Sequence, residues 1–205
     1  MSGANNDYPE AVVELIEILR RLPGVGKRSA ERMALALLKF PADELKSMGQ
    51  TIAALPEMVG NCPICGNLTA AGENCPICDS SRRDESVICV VEDFTRINAI
   101  EKSGAFNGLY HVLGGRISPL DEEYEDSLRI TQLEKRLAAG QVKELILALG
   151  SDIESRATSL YLAKKFAGQV ANITKLAQGL PAGADLSYAD SATISAALSN
   201  RNILQ

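Results

Sequence analysis

Residues 87–93 read VICVVED, five apolar residues followed directly by two acids. The apolar run is short, rich in β-branched residues and bounded by polar ones, which predicts a strand buried on both faces of a parallel sheet. Cys89 lies inside this strand, so we interpret it as a thiol of the core. Ligands of open α/β sheets bind at the carboxyl ends of strands, so Glu92 and Asp93 stand where a site is expected.

Strands and helices alternate on the C-terminal side of this stretch. Further apolar runs predict strands at 109–113, 145–149 and 170–176. The segments between and after them predict helices at 94–102, 131–139, 154–166 and 191–198. This alternation indicates an α/β domain with a mostly parallel sheet that is covered on both faces.

The segment upstream of residue 60 has the apolar spacing of helices. Apolar residues recur at helical intervals over 12–19, 30–38 and 45–55, which predicts three helices separated by LPGVG at 22–26 and by Pro41. We expect the inward face of the second helix to consist of Ala30, Met33, Ala34, Leu37 and Leu38.

The break between the first two helices combines glycines with positive charge. Gly24 and Gly26 allow a tight turn, and the next helix presents free N–H groups and a positive dipole end to an anion. Lys27, Arg28 and Arg32 add charge, and the stretch from 20 to 39 holds six basic residues and one acid, a net +5. A plain helical turn with a solvated basic face is the alternative. The position of this basic turn between two predicted amphipathic helices favours the binding of DNA phosphates without sequence preference.

Four of the five cysteines form two CPIC units separated by nine residues. Two such units suit a tetrahedral thiolate cage around Zn²⁺ with no open ligand position. We therefore predict a structural zinc site; its ligands are Cys62, Cys65, Cys75 and Cys78. In a reducing compartment this pattern favours metal binding over disulfides. Unligated thiols and an iron–sulfur cluster are the alternatives.

The composition excludes several classes of protein. The chain has 205 residues, 46% of them hydrophobic, and a net charge of −5, which argues against a protein that is basic all over. Aromatic residues make up 4% and Trp is absent, which argues against a broad base-stacking surface. No apolar run reaches transmembrane length, and residues 1–10 are too polar for a signal peptide. We expect a cytoplasmic protein without a membrane partner.

A second pair of acids, Asp152 and Glu154, follows the predicted strand at 145–149. Together with Glu92 they would lie at one edge of the sheet, where carboxylates could hold Mg²⁺. This arrangement resembles a Toprim domain, the fold shared by primases, topoisomerases and some nucleases. Arg156 lies nearby, and a cation there would compete with Mg²⁺. Solvated loop acids are the alternative interpretation.

The whole chain resembles the RecR family of bacterial recombination mediators over residues 8–201. The matching stretches are LPGVGKRSAERMA, CPIC…CPIC, VICVVED, GLYHVLGGRISPL, ATSLYLA and GLPAGADLSYAD. The resemblance implies a helix-hairpin-helix DNA-binding domain at 1–56, a four-cysteine zinc finger at 57–80, a Toprim α/β domain at 81–176 and a C-terminal oligomerisation segment at 177–205. It also implies a homo-oligomer, a dimer or a tetrameric ring, that acts with RecO and RecF to load RecA at gapped or single-stranded DNA.

Two stretches depart from the family pattern. After the strand at 145–149 the family shows an Asn-Pro-Thr-type turn and a Glu-Gly-Glu stretch, whereas here Arg156 stands at the position of the second family carboxylate. Residues 121–126 carry five acids in place of a glycine-rich turn. We interpret this acidic run as a solvated loop or as a surface that docks a partner.

We expect no catalytic activity. The acidic set at the sheet edge is incomplete, and His111, the only histidine, lies in the middle of a predicted strand and is interpreted as structural. A Toprim-type, Mg²⁺-dependent enzyme that cuts or joins phosphodiester bonds is the alternative. A zinc-binding scaffold for protein contacts is a third class, against which the basic hairpin argues.

Overall fold

The computed structural model describes residues 8–118 and 128–201, and the acidic run at 121–126 lies outside the described residues. The chain divides into two compact units, Met1–Met58 and Val59–Gln205. The finer division into four segments stays a prediction. Within the described ranges, no helix combines the length and the apolar character needed to cross a bilayer.

The first unit consists of three helices: α1 Glu10–Leu19, α2 Lys27–Leu37 and α3 Ala42–Met58. Its core is small, and Ala30 and Ala34 of α2 pack one turn apart against Val12 and Ile16 of α1. Because alanine adds little bulk, the two helices approach closely along this stripe.

The inward face predicted for α2 is wrong at two positions. Met33 is 43% exposed and Leu38 is 62% exposed, because α1 covers only the narrow alanine stripe. Three of the apolar residues of α3 are also exposed: Met48, Ile52 and Leu55.

The second unit contains a small hairpin and a four-stranded sheet. The hairpin strands, β1 Val59–Asn61 and β2 Leu68–Ala70, are antiparallel. The sheet strands are β3 Asp84–Val91, β4 Gly108–Val112, β5 Glu144–Leu147 and β6 Asn172–Lys175. The helices are α4 Phe94–Ser103, α5 Ile130–Ala138, α6 Ile153–Lys165 and α7 Ser191–Ser199, with a short 3₁₀ helix at Leu186–Tyr188.

The sheet is parallel throughout, with the order β4-β3-β5-β6, and is covered on both faces. Successive residues of β3 point to opposite faces: Ile88 and Val90 join the layer that includes α5 and α6, whereas Cys89 and Val91 join the layer that includes α4. This two-sided burial confirms the strand predicted from VICVV. Burial raises the pKa of the Cys89 thiol to about 12, as expected of a core thiol.

Candidate functional sites

The four CPIC cysteines come together in the second unit. Their sulfurs all lie within 4.8 Å of one another, and the Sγ atoms of Cys65 and Cys75 are 3.5 Å apart. Sulfurs at about 2.3 Å from a tetrahedral zinc ion are about 3.8 Å from each other, so the cluster has the size of such a cage. Cys62, Cys65 and Cys75 are buried and Cys78 is partly buried. These four side chains can hold a metal ion.

Each CPIC unit folds as a tight turn that aims both of its sulfurs to one side. In the first, the backbone N–H of Gly66 donates to the carbonyl of Cys62 at 2.8 Å, and Asn67 N–H points at Cys65 Sγ at 3.4 Å. In the second, Cys78 N–H donates to the carbonyl of Cys75 at 3.0 Å. Gly66 has a φ of +80°, a conformation that side chains disfavour, so a glycine follows the first CPIC.

The thiols of the cluster influence one another's ionisation. A hydrogen bond from Cys78 lowers the pKa of Cys65 to about 5, against the opposing effect of burial. The same hydrogen bond raises the pKa of Cys78, and burial raises the pKa of Cys75. One thiolate is therefore favoured before any metal binds. Binding of a cation would release protons from the other thiols, because metals bind the thiolate form.

Contacts from the sheet fix the first CPIC turn in place. The backbone N–H of Val112, at the end of β4, donates to the carbonyl of Cys65 at 2.7 Å. Arg129, just before α5, donates from Nη2 to the carbonyl of Pro63 at 3.2 Å. The cysteine cluster is therefore joined directly to the α/β core of the second unit.

The basic hairpin lies in the first unit between α1 and α2. Its turn closes with a hydrogen bond from Val25 N–H to the carbonyl of Leu22 at 3.1 Å, and Gly24 adopts the φ of +78° that the turn requires. Among the residues that the structure describes, no side chain caps the N-terminus of α2, which begins at Lys27. The first N–H groups of α2 therefore lack a capping side chain beside the positive charges.

The side chains of Lys27, Arg28 and Arg32 are exposed and form no ion pair with the residues that the structure describes. Arg20, which the sequence counts toward the same positive charge, pairs instead with Glu17 at 2.7 Å. Three cations without an ion pair among the described residues therefore lie in the first two turns of α2, and Arg21 and Lys39 at either side of the helix are also exposed and unpaired there.

The three predicted acids lie at the carboxyl edge of the sheet, but each is engaged by protein groups. Glu92 is buried and accepts hydrogen bonds at Oε1 from Gly150 N–H, at 2.7 Å, and from Ser155 Oγ. Asp152 caps α6 and accepts from Ser155 N–H at 3.0 Å; this hydrogen bond is the main cause that lowers its pKa to about 2.

Arg116 lies between Asp152 and Glu154 and contacts both. Its Nη1 lies 2.9 Å from Asp152 Oδ2, and its Nη2 lies 3.4 Å from Glu154 Oε2. Among the described residues, the four cysteines are the only group of three or more cysteine, histidine or acidic side chains close enough together to hold a metal ion. Glu92, Asp152 and Glu154 therefore do not form a ligand set for Mg²⁺ in this arrangement.

Three family models match the chain. They are described as RecR, helix-hairpin-helix, over residues 12–55; Toprim domain, over 86–177; and RecR, C-terminal, over 179–202. The recombination protein RecR of Moorella thermoacetica is 44% identical over 97% of this chain and 99% of its own length. That of Streptomyces coelicolor is 45% identical over 96% of this chain and 98% of its own.

The chain belongs to the RecR family. This membership confirms the resemblance inferred from the motifs, and the α/β fold with its helical N-terminus, four-cysteine cluster and Toprim domain. In this RecR-family chain the structure brings the predicted cysteines together and leaves the predicted DNA-binding cations on the surface. The assignment of those cations to DNA stays a prediction.

The cation beside the acids of the Toprim domain is not the one that the sequence suggested. Arg156 is exposed and forms no ion pair with the acids in the described part of the chain. Arg116 pairs with them instead: its guanidinium contacts both Asp152 and Glu154. Arg116 lies 36 residues before Asp152, so no local pattern reveals the pair. Ser155 does leave a local signal, since it stands three residues after a capping aspartate.

Proposed function

We propose that this chain is a non-catalytic DNA-binding mediator of recombinational DNA repair. The observation that supports it most is the start of α2, where Lys27, Arg28 and Arg32 are exposed and unpaired within the described residues beside an uncapped helix N-terminus. Free N–H groups and nearby cations bind phosphate oxygens without reading bases. The names of the two relatives, both recombination protein RecR, support the same role.

The geometry of α2 favours Arg28 and Arg32 as the principal phosphate contacts. The two residues are one helical turn apart and share a face. Lys27 lies at the turn itself, and Gly24 and Gly26 let the backbone approach the phosphate. A DNA backbone that follows this face would meet both guanidinium groups.

Replacing Arg28 and Arg32 together by alanine should weaken binding to all DNA sequences alike. Each phosphate contact contributes about −0.9 to the slope of log K against log salt, so two contacts give about −1.8 per chain. That slope corresponds to roughly tenfold in affinity between 50 and 200 mM salt, and an oligomer that engages several chains multiplies it. A salt titration of binding to a fluorescent gapped duplex measures the change.

The matched control is Lys164→Ala with Lys175→Ala, which removes the same charge from two exposed positions of the second unit. This control should leave the salt slope unchanged. Folding of both variants should be nearly normal, because exposed substitutions usually change stability by less than about 0.5 kcal/mol. An unchanged slope in the folded Arg28 and Arg32 variant would assign the DNA site to another surface.

The absence of phosphodiester chemistry is the second part of the proposal. Arg116 holds Asp152 and Glu154, and Glu92 is committed to Gly150 and Ser155. A supercoiled plasmid incubated with the protein and Mg²⁺ or Mn²⁺ should remain supercoiled. Nicking or relaxation that disappears in Glu92→Gln would instead establish the alternative Toprim enzyme.

We propose further that the four-cysteine site holds Zn²⁺ and that the ion is structural. Four thiolates complete a tetrahedral shell, so no ligand position is open to water or substrate. The segment around the site contains little regular secondary structure: its two strands, β1 and β2, have three residues each. A bound ion would supply the stability that such a segment cannot obtain from a hydrophobic core.

The proposed partners follow from family membership and from the exposed apolar surface. The chain would form a dimer or a tetrameric ring and act with RecO and RecF to load RecA on gapped or single-stranded DNA in the bacterial cytoplasm. Exposed apolar side chains on α3 and in the C-terminal segment, including Ile52 and Leu198, suit contacts between copies. Light scattering with and without DNA distinguishes the dimer from the tetramer.

A further inference from the structure

Two arginines beside the cysteine cluster have no carboxylate partner among the residues that the structure describes. Neither Arg129 nor Arg136 forms an ion pair within the ranges that the structure describes. Both are partly buried. Charges that leave water are normally paired, because an unpaired one loses hydration without compensation. The two guanidinium groups therefore favour a negative partner, and the cysteine cluster is adjacent to both: Arg129 bonds to the carbonyl of Pro63, and Arg136 shares a cavity with Cys78.

Arg129 reaches the first CPIC turn. Its Nη2 donates to the carbonyl of Pro63, while its Nε is buried and has no hydrogen-bond partner in the described structure. The contact is close: a Cβ placed on Gly66 would lie 2.8 Å from Nε. The positive charge of Arg129 is thus held against the residue that immediately follows the ligand Cys65.

Arg136 approaches the cluster from α5. Its Nη1 donates to the carbonyl of Tyr110 at 2.6 Å and lies 3.4 Å from Nδ1 of His111. Arg136 and Cys78 line the same cavity of about 250 Å³. Burial lowers the pKa of Arg136, and all four cysteines act in the opposite direction. Glu85 also lines the cavity, but it is exposed and makes no ion pair with the arginine.

His111 connects the two arginines. Its Nε2 lies 2.8 Å from the carbonyl of Arg129, so Nε2 carries the hydrogen and donates it. Nδ1 is then an acceptor that faces the Arg136 guanidinium. Full burial lowers the pKa of His111 to about 3, which keeps the ring neutral and in this tautomer.

We propose that Arg129 and Arg136 form the charge-balancing outer shell of the four-cysteine metal centre, and that His111 positions both. This inference rests on the proposed zinc site. Four thiolates and one Zn²⁺ carry a net charge of about −2, and two guanidinium groups supply the opposite charge. Their field favours the thiolate form and so the metal-bound state. Outer-shell groups orient metal ligands and tune affinity; here Arg129 acts on the first CPIC turn through the carbonyl of Pro63, and Arg136 acts by its charge across the cavity that it shares with Cys78.

Competition with a chromophoric chelator tests the proposal on the metal-loaded, full-length protein. Arg136→Gln and Arg129→Gln should each weaken zinc binding by roughly 10-fold to 100-fold, the usual effect of losing an outer-shell partner. Arg136→Lys should recover much of the loss, since it keeps the charge. Arg82→Gln is the matched control, because it removes an exposed arginine four residues after Cys78 in the sequence and should leave the zinc affinity unchanged.

A double-mutant cycle separates the electrostatic role from a merely structural one. Cys78→His makes the metal centre less negative by one charge. The loss of zinc affinity caused by Arg136→Gln should therefore be smaller in the Cys78→His protein than in the wild type, by roughly threefold or more. Visible absorption of the Co²⁺-substituted proteins reports whether the tetrahedral thiolate shell is intact in each variant. Additive losses, or equal losses in the lysine and glutamine variants, would overturn the proposal.

The metal content of the wild-type protein distinguishes this inference from the proposal on which it rests. Wild type without zinc would refute the zinc site itself. Wild type with one zinc per chain, and glutamine variants whose affinity is unchanged, would refute only the arginine shell.

Discussion

Replacing Cys75 by serine is expected to eliminate the bound metal and to unfold much of the second unit. Cys75 is fully buried, and its sulfur is 3.5 Å from that of Cys65, so three thiols cannot close the cage. Structural zinc contributes an apparent binding free energy on the order of 10 kcal/mol, comparable to the net stability of a domain. The melting temperature should fall by about 20 °C or more. Atomic emission and thermal unfolding measure the two effects.

The matched control for this substitution is Cys89→Ala. Cys89 is the one cysteine outside the CPIC units and is buried in β3 on the sheet. Its removal should cost the stability of a small core cavity and leave the metal content at one ion per chain. Folded Cys75→Ser protein with wild-type stability would contradict a structural metal. Loss of metal from the Cys89 variant would show that the cluster depends on the sheet core.

Replacing Gly66 by alanine is expected to destabilise the protein by about 2–5 kcal/mol. The φ of +80° disfavours any side chain by about 1–2 kcal/mol. The new Cβ would also lie 2.8 Å from Arg129 Nε and 3.1 Å from Val112 Cβ, an overpacking that costs about 1–3 kcal/mol. Urea denaturation of the metal-loaded protein measures the difference.

Gly72 provides the control, because it shares the backbone conformation but not the crowding. Its φ is +81°, and nothing lies within 4 Å of a Cβ built there. Gly72→Ala should therefore show only the conformational part of the loss. Equal destabilisation of the two variants would mean that the CPIC turn moves freely away from Arg129, against the close contact in the structure.

Local patterns in the sequence predicted most of the framework. VICVV predicted β3 because a strand buried on both faces needs a continuous apolar run. The two CPIC units predicted the cluster because the ligand spacing is short and local. Prediction from local patterns fails where contacts between distant residues decide the outcome. Met33 and Leu38 are exposed because α1 covers only a narrow stripe of α2. The sequence of α2 alone does not contain the width of that stripe.

The charged partners at the candidate sites show the same limit. Arg116 meets Asp152 across 36 residues, and Arg136 meets His111 across 25. Arg116 follows β4 and meets the cap of α6, and Arg136 of α5 meets His111 of β4. Only the folded sheet brings the members of each pair together. Arg156 is close in sequence to Asp152 and Glu154, and for that reason we expected it to compete with Mg²⁺ for these acids. In the described structure it does not pair with them.

The position of β4 at the end of the strand order gives the cysteine module a further consequence. An edge strand presents unpaired peptide groups that can recruit a strand from another chain and begin aggregation. Here three peptide groups on the outer side of β4 already have partners: the Gly108 carbonyl accepts from Arg83 at 3.5 Å, the Tyr110 carbonyl accepts from Arg136, and Val112 N–H donates to the carbonyl of Cys65. The first CPIC turn and two arginine side chains thus leave fewer groups on this edge to which a strand of another chain could bind.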